Sequence, residues 1–486
     1  LADGPPGEVT AALRPVWLMS PASLSDTLPL AASFDVVIYD EASQVPVEEA
    51  VPALHRAAQV IVVGDRMQLP PTRYFTAGPA TVEDSGGAED ADEEDEARLG
   101  VVLDADSFLA VSSTRLPSTM LLWHYRSRFE ALIQFSNTVF YDGRLATVPD
   151  RTPARRDRPA LLVGGGAPDP DVASAVTDEV LTRSISVVRV QDGVYDRRTN
   201  AAEAAWTAAL VRDLVLRRTG LTIGVVAFSE AQQSEIERAL ERLTEQDGEF
   251  ARAYDDEVGR EEDGQGVGLF VKNLENVQGD ERDVMVMSVC YAAAPDGRMR
   301  MNFGPINTAG GEKRLNVIFS RARRHMVLTS SIDPSAITNV YNPGARTLRD
   351  FLVYAEAIST GDDSGAERTL AAWRTDGLGG MPEPAPIVTQ MADALTAVGL
   401  DVVTSLGGSD FRCDLAVRAP DAERWTLGVL VDHAHRLRTG STEQRRVVQP
   451  GVLRASGWRV EQVTAAEWLA DPDAVVERLA ARVHGA

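Results

Sequence analysis

Short apolar runs alternate with amphipathic stretches along most of the chain. Residues 34–39, 60–63, 221–228 and 284–289 are runs of the length expected for buried strands, and helix-like patterns lie between several of them. Buried strands that alternate with helices are typical of a parallel sheet covered on both faces. The pattern therefore predicts an α/β protein.

Acidic residues close the first two of these runs. The sequence DEASQ at 40–44 follows one, and Gly64-Asp65 with Gln68 follows the other. A hydrophobic strand ending in Asp-Glu is how nucleotide-hydrolysing α/β folds hold Mg²⁺ and activate water. Because open α/β sheets bind ligands where their strands end, both acidic turns are candidate site residues.

The two runs resemble motifs II and III of superfamily 1 helicases, which read DEAS or DEAQ and GDxxQLPP. Three further blocks follow in the family's order. WHYRS at 123–127 resembles the YR motif, ENVQGDERD at 275–283 resembles motif V, and RLNVIFSRAR at 314–323 resembles motif VI. The resemblance points to large bacterial proteins related to the nonsense-mediated-decay and Dna-replication helicases, which often carry a C-terminal nuclease-like domain.

This resemblance implies an α/β chain with two RecA-like parallel-sheet domains and a small α/β restriction-endonuclease-like domain. We expect the C-terminal half of the first RecA-like domain, incomplete at its N-terminus, at 1–150. The second RecA-like domain is expected at 151–345, followed by a linker at 346–385. The Pro- and Gly-rich stretch 150–170 is predicted to be a connection, and 247–268 an acidic surface insertion.

Residues 386–486 are predicted to follow an αβββαβα order, which resembles the very-short-patch-repair endonuclease fold. Nucleases of this class hold Mg²⁺ with carboxylates at the ends of neighbouring strands. Asp414 and Asp432 are the candidate ligands, but Leu430 stands where the family has Glu. Since Mg²⁺ prefers several hard oxygen ligands, we expect a degenerate nucleic-acid-binding or docking module, with an active nuclease as the alternative.

The resemblance also implies roles in the helicase core, where two domains close on ATP. Asp40 is the expected Mg²⁺ ligand and Glu41 the general base. Gln68 is expected to sense the γ-phosphate, and Arg126 and Arg321 to be arginine fingers. The residues expected to link the bound nucleotide to nucleic acid are Gln278, Gly279 and Glu281.

Three residues are expected to contact nucleic acid, namely Pro70, Thr72 and Ser127. Their neighbours Trp123 and Tyr125 are predicted to be core residues rather than platforms on which bases stack. The family resemblance implies 5′→3′ movement on single-stranded DNA. Duplex DNA and RNA stay open as partners.

The phosphate cradle G-x-x-x-x-G-K-[ST] does not occur in the sequence. Residues 4–10 begin like the family's GPPGTGK(S/T), but Glu8 and Val9 follow and the lysine is missing. The cradle needs this lysine and a Mg²⁺-binding hydroxyl. We therefore expect a C-terminal helicase fragment, or one part of a split helicase, that needs a missing N-terminal half and hydrolyses little ATP alone.

Amino-acid composition limits the cellular compartments and the binding partners that are expected for the chain. A net charge of −24 argues against a passive polyanion binder, although a helicase groove needs only local cations. Cys290 and Cys413 can form neither a disulfide framework nor a zinc site, which favours a reducing cytoplasm. No apolar stretch is long enough for a membrane span. The acidic run 83–96 is predicted to be a solvated insertion, or alternatively a flap that mimics a nucleic-acid strand.

Three functions follow from these patterns: an ATP-dependent helicase or translocase, an inactive scaffold, and a nuclease positioned by a helicase-like part. The joint presence of Glu41, Gln68 and both arginine fingers favours the helicase, since a scaffold need not keep them. Leu430 counts against the nuclease. DNA repair or phage defence would fit the architecture by family analogy.

Overall fold

The structure is a computed structural model that describes residues 12–69, 107–153, 155–374, 384–409, 411–438 and 441–485. The chain divides into two compact units. The first comprises Leu1–Met120, Asn302–Val317 and Asn339–Thr347, and the second comprises Leu121–Met301, Ile318–Thr338 and Leu348–Ala486.

The described part of the first unit is built on two parallel strands. Strand β1 (Phe34–Tyr39) pairs with β2 (Ala57–Val62) so that Tyr39 lies opposite Val62. The ring of Tyr39 packs on that of Phe108, with centroids 4.6 Å apart, beside three buried alanines. The described helices of this unit include Pro21–Thr27, Val47–Leu54 and Phe108–Ser113, together with most of helix Gly311–Phe319.

One face of the β1–β2 pair carries exposed apolar side chains. Ile38 is 62% exposed and Ile61, its cross-strand neighbour, is 50% exposed. Val36 and Val63 extend the same row. Because the strands of parallel sheets are normally covered on both faces, this face has the character of a packing surface.

A six-stranded parallel sheet forms the core of the second unit, in the order β3-β4-β10-β9-β5-β8. A short hairpin, β6 (Glu261–Glu262) and β7 (Gln265–Gly266), precedes its edge strand β8. The sheet strands are β3 (Leu161–Val163), β4 (Ile185–Val190), β5 (Ile223–Ala227), β8 (Phe270–Asn273), β9 (Arg282–Ser288) and β10 (Ala322–Ser330). Its helices include Pro170–Val180, Ala201–Leu216, Glu230–Gln246 and Gly248–Val258.

An aromatic cluster joins three further helices to this core. The ring centroid of Phe135 lies 5.2 Å from that of Phe351 and 5.6 Å from that of Tyr354. Phe319 stacks on Phe351. The helices are Ala131–Phe140, Gly311–Phe319 and Pro343–Thr360, and Asp363–Ala371 follows. Residues 346–371 of the predicted linker are therefore largely helical.

The C-terminal part of the second unit is a four-stranded mixed sheet in the order β11-β12-β13-β14. The first two pairings are antiparallel and the last is parallel. The strands are β11 (Asp401–Leu406), β12 (Cys413–Arg418), β13 (Leu427–Asp432) and β14 (Arg459–Thr464). The helices are Pro386–Ala397, Ala434–Arg438, Gln449–Ala455, Ala465–Ala470 and Pro472–His484. This order agrees with the predicted αβββαβα pattern.

Two expectations about connecting segments are wrong. Residues 247–268 do not form only a surface insertion, because Asp247 caps the helix Gly248–Val258 and its Phe250 is fully buried in the core. Residues 150–170 contain strand β3, whose Leu161 and Val163 are buried. In both cases a few apolar side chains within a polar segment reach the core.

Among the described residues, no helix combines the length and the apolar character that a membrane crossing requires.

Candidate functional site

The turn after β1 places the Asp-Glu pair at the end of a strand. Asp40 and Glu41 are both exposed, and the Glu41 backbone N–H donates to Asp40 Oδ1 at 2.9 Å. Glu41 has a φ of 50°, a left-handed conformation that few non-glycine residues adopt. Such strained positions cluster at functional sites. The Gln44 amide donates to Glu41 Oε2 at 3.4 Å and orients the carboxylate.

The turn after β2 lies directly beside the first. Ala42 N–H donates to the carbonyl of Val63, which ties the two strand ends together. A Cβ at Gly64 would lie 3.0 Å from the Ser43 backbone nitrogen, so this approach requires glycine. Asp65 then accepts from the Met67 backbone at 2.8 Å and from the Gln68 amide at 3.2 Å. The structure thus brings Asp40, Glu41 and Gln68 to one edge of the sheet.

A contact that the sequence reasoning missed joins motif VI to motif III. Asn316 donates from Nδ2 to the carbonyl of Met67 at 2.8 Å, and both residues belong to the first unit. Asn316 is almost fully buried, as is Arg314, whose Nη1 lies 3.4 Å from Thr308 Oγ1. The signal was present in the sequence as the RLN of motif VI.

In the second unit, motif V meets the YR motif. Arg126 forms an ion pair with Glu281, and Arg323 lies 3.7 Å from the other oxygen of the same carboxylate. Each side chain of the Arg126–Glu281 pair is about one-third exposed. Glu281, predicted to link the bound nucleotide to nucleic acid, therefore pairs with one of the predicted arginine fingers.

The remaining motif V residues form the turn before β9. Gly279 has a φ of 88°, and Asp280 N–H donates to the Val277 carbonyl at 3.2 Å. Lys272 pairs with Asp280 and fixes the turn from β8. Gln278 lies in this turn, next to Gly279 and three residues before Glu281.

Arg321 lies in the turn between helix Gly311–Phe319 and β10. It is 3% exposed, its N–H donates to Ile318, and its carbonyl accepts from Arg282 N–H. Arg126 and Arg321 belong to the second unit, whereas Asp40, Glu41 and Gln68 belong to the first.

The YR segment differs from its prediction at one aromatic position. Tyr125 is 90% exposed and is therefore not a core residue. The chain turns at this point so that the ring of His124 contacts Ser127. Trp123 does pack inward, edge-to-face on Phe411 at 4.1 Å. Ser127, predicted to contact nucleic acid, lies 2.8 Å from His124 Nε2, and its N–H also donates to that nitrogen. Burial, reinforced by the charge of Arg126, lowers the pKa of His124 to about 4.

Some predicted residues lie outside the described part of the chain. These are Pro70, Thr72, the glycine-rich segment 4–10 and the acidic run 83–96.

The nuclease-like site is filled by protein groups. Asp414 accepts from the Val431 backbone N–H at 2.7 Å, lies 3.0 Å from His433 Nε2 and pairs with Arg436 at 3.5 Å. Asp432 instead pairs with Arg446 at 2.8 Å. No three His, Cys, Asp or Glu side chains of the described residues are grouped so that they could hold a metal ion.

Leu430 is 1% exposed and packs in the hydrophobic cluster with Trp425 and Trp458. A Glu at this position would point into an apolar core. The positively charged group that pairs with Asp414 is the guanidinium of Arg436.

Family comparisons agree with this architecture. Residues 21–74 and 105–333 match two families of AAA domains, and residues 388–483 match the restriction-endonuclease family REase_MTES_1575. The chain therefore carries helicase-family domains followed by a restriction-endonuclease-like domain. The predicted resemblance and the predicted α/β fold class are confirmed.

Two similar proteins are described as uncharacterized ATP-dependent helicases. The one from Mycoplasma pneumoniae is 31% identical over 338 residues, which is 67% of this chain and 26% of that protein. The one from Mycoplasma genitalium is 30% identical over 365 residues, which is 72% of this chain and 28% of that protein. The chain thus spans about a quarter of the length of these relatives.

Proposed function

We propose that the chain is the motor part of an ATP-dependent superfamily 1 helicase or translocase. The observation that carries the proposal is the pairing of motifs that lie far apart in sequence. Asn316 of motif VI contacts Met67 in motif III, and Glu281 of motif V pairs with Arg126 of the YR motif. A scaffold would need neither contact, and the two relatives are described as ATP-dependent helicases.

In this proposal Glu41 is the general base for ATP hydrolysis. Its exposed carboxylate takes a proton from the water that attacks the γ-phosphorus, while the bond from that phosphorus to the β–γ bridging oxygen breaks. Gln68, oriented by Asp65, positions this water or the γ-phosphate. Arg126 and Arg321 stabilise the charge that develops on the transferring phosphoryl oxygens.

Asp40 fits the role of a Mg²⁺ ligand. Its carboxylate is exposed at a strand end, and Mg²⁺ in such enzymes is held by one or two carboxylates together with substrate phosphates and water. Bound Mg²⁺ would neutralise phosphate charge. Gln278, Gly279 and Glu281 would couple nucleotide binding to the nucleic-acid strand.

The phosphate cradle would come from a further segment, the N-terminal half of the first RecA-like domain. The exposed apolar face of β1–β2 supports this part of the proposal, because Ile38 and Ile61 offer a surface on which such a segment can pack. The chain alone would then bind ATP weakly.

We further propose that the substrate is single-stranded DNA, with movement in the 5′→3′ direction. In this proposal Pro70, Thr72 and Ser127 are the residues that contact the single-stranded DNA. Both cysteines are unpaired and buried, which fits a reducing cytoplasm, where a DNA-repair role would place the protein.

DNA-stimulated ATPase activity tests the proposal. It is measured on this chain and on a longer gene product that includes the phosphate cradle, each with Glu41→Gln and with the exposed control Glu49→Gln. We expect activity only in the longer form, lost in Glu41→Gln and kept in Glu49→Gln. Strong activity of this chain alone would contradict the missing-cradle proposal, and no activity in either form would favour the scaffold.

A further inference from the structure

The endonuclease-like domain packs firmly on the segment that carries the YR motif. Thr147 and Ser409 exchange two hydrogen bonds of 3.1 Å, and Trp458 Nε1 donates to the carbonyl of Pro149 at 3.2 Å. We call the contact of residues 121–152 with residues 386–485 the junction. All of these residues belong to the second unit.

Arginines from both sides gather at the junction. The Arg151 backbone carbonyl accepts from Trp425 N–H at 2.7 Å, and Arg151 Nε donates back to the Trp425 carbonyl at 3.1 Å. This exchange places Arg424, the neighbour of Trp425, beside Arg151. Arg459 N–H in turn donates to the Thr426 carbonyl at 3.2 Å. Three arginines thereby lie on adjoining backbone segments, and Arg459 Nη1 donates to the carbonyl of Arg482 at 2.9 Å.

A cleft of about 490 Å³ extends this basic surface along the YR segment. Arg128 and Arg151 line it together with Arg323 and Arg324. The Arg128 backbone N–H donates to the carbonyl of Arg323 at 2.6 Å, so a backbone hydrogen bond joins the two basic segments.

Local carboxylates compensate only part of this charge. Arg323 and Arg324 have acidic partners, Glu281 and Asp283. Among the described residues, no carboxylate forms an ion pair within 4 Å of Arg128, Arg151, Arg424 or Arg459. Burial and then the charges of Arg424, Arg128 and Arg459 lower the pKa of Arg151, as expected where cations lie near one another.

Three acidic residues line the cleft, and Asp283 among them pairs with Arg324. The other two, Glu130 and Asp150, do not offset the arginines fully. Burial, followed by the charge of Glu130, raises the pKa of Asp150 to about 8. Burial also raises the pKa of Glu130, although hydrogen bonds from Thr147 and Gly408 oppose the shift. At neutral pH Asp150 is therefore mostly protonated.

We propose that the junction binds the phosphodiester backbone of nucleic acid, with Arg128, Arg151, Arg424 and Arg459 as the phosphate contacts. Guanidinium groups suit this ligand because their fixed donors match phosphate geometry. A row of cations shared by two domains fits a chain of phosphates better than a single anion. The proposal rests on the proposed function in taking a nucleic acid as substrate, and it gives the endonuclease-like domain a binding role without cleavage.

Fluorescence anisotropy with a labelled single-stranded oligothymidylate and this chain, without ATP, tests the inference across a salt series. The variant is Arg424→Gln with Arg459→Gln, two exposed residues. The matched control is Arg238→Gln with Arg242→Gln, two exposed residues on helix Glu230–Gln246 that both pair with Glu235. Thermal unfolding confirms that both variants fold.

We expect binding of the test variant to weaken on the order of tenfold at low salt. Its plot of log K against log salt should flatten by about 1.4, the value for two single-strand phosphate contacts. Arg128→Gln, on the other side of the junction, should flatten it by about 0.7. Inorganic phosphate at matched ionic strength should not displace the oligonucleotide, whereas displacement would indicate a single-anion site.

Unchanged affinity and slope in Arg424→Gln with Arg459→Gln would overturn the inference, as would the same loss in the control. The helicase proposal is judged separately by ATPase activity and Glu41→Gln. If the junction substitutions leave oligonucleotide affinity unchanged while ATPase activity depends on Glu41, this inference is rejected and the motor proposal stands.

Discussion

Several side chains at the candidate site are oriented by contacts with one another, as in the pairs Gln44–Glu41, Gln68–Asp65 and Arg126–Glu281. The Arg126–Glu281 pair is about one-third exposed, so its contribution to folding is small, at most about 1 kcal/mol. If Arg126 acts as the proposed arginine finger, a γ-phosphate with several negative oxygens would compete for its guanidinium at low cost. In that proposal the phosphate would take the place of Glu281.

The first prediction concerns the fork of Arg126. Arg126→Lys keeps the charge but loses the planar set of donors, so the kcat of DNA-stimulated ATPase should fall by about 10³-fold or more. Steady-state kinetics on the longer form measures this fall. Arg144→Lys, at an exposed position outside the motifs, should leave kcat unchanged. Full activity of Arg126→Lys would exclude the finger role.

The second prediction concerns Asp150. Its pKa is about 8 in the folded chain and near 4 when unfolded, so the folded state holds an extra proton between these values. The free energy of unfolding should therefore fall as pH rises through this window. Asp150→Asn cannot ionise and still accepts a hydrogen bond from Glu130 N–H, so it should remove this fall.

Melting temperatures between about pH 6 and pH 9 measure the effect of Asp150→Asn. The variant should gain most over the wild type at the alkaline end. Asp142→Asn, an exposed neighbour, serves as the control and should keep the wild-type profile. Parallel profiles for Asp150→Asn and the wild type would show that Asp150 is ionised in the folded chain.

The site residues could be predicted from sequence only where a motif names them. DEASQ and GDRMQ led to Asp40, Glu41 and Gln68, which the structure places at two adjoining strand ends. Tyr125 was predicted wrongly because an aromatic between Trp123 and Arg126 resembles a core position. Its exposure depends on the His124–Ser127 turn, a local contact that no periodicity reports.

Secondary-structure elements followed the apolar runs closely. The predicted strands at 221–228 and 284–289 are β5 and β9, displaced by a few residues at their ends. The helix Gly248–Val258 was missed because its buried side rests on Phe250 and Ala253 within an acidic stretch. In such segments the secondary structure depends on tertiary packing, which the amino-acid composition does not reveal.

The third prediction tests the contact between the two strand-end turns. Gly64→Ala would bring a methyl group within 3.0 Å of the Ser43 backbone nitrogen and of Leu109, so the turn carrying Glu41 must shift. We expect a loss of about 1–3 kcal/mol in stability of the first unit. Urea unfolding measures the loss. Gly166→Ala, where an added Cβ meets no atom within 4 Å, should be close to neutral.

At the scale of the whole molecule, the endonuclease-like domain has the predicted fold, and protein groups surround its candidate ligand Asp414. Leu430 gave the sequence signal for a lost ligand, but the sequence could not show that Arg436 and His433 converge on Asp414. That convergence depends on helix Ala434–Arg438 turning back onto β12 and β13. The carboxylate has thus become part of the packing of the domain.

The fourth prediction separates a structural Asp414 from a catalytic one. Asp414→Ala would leave Arg436 buried without its acidic partner and Val431 N–H without its acceptor, so stability should fall by about 3–5 kcal/mol. A carboxylate kept for metal binding would behave oppositely, because removing an uncompensated charge from an active site often stabilises the protein. Thermal unfolding of the variant decides between them. Asp432→Ala, whose Arg446 partner is half exposed, is the control and should cost less than about 1 kcal/mol.

Nicking of supercoiled plasmid with Mg²⁺ or Mn²⁺ should be absent in the wild type, and Asp414-dependent nicking would restore the nuclease as a function of this domain.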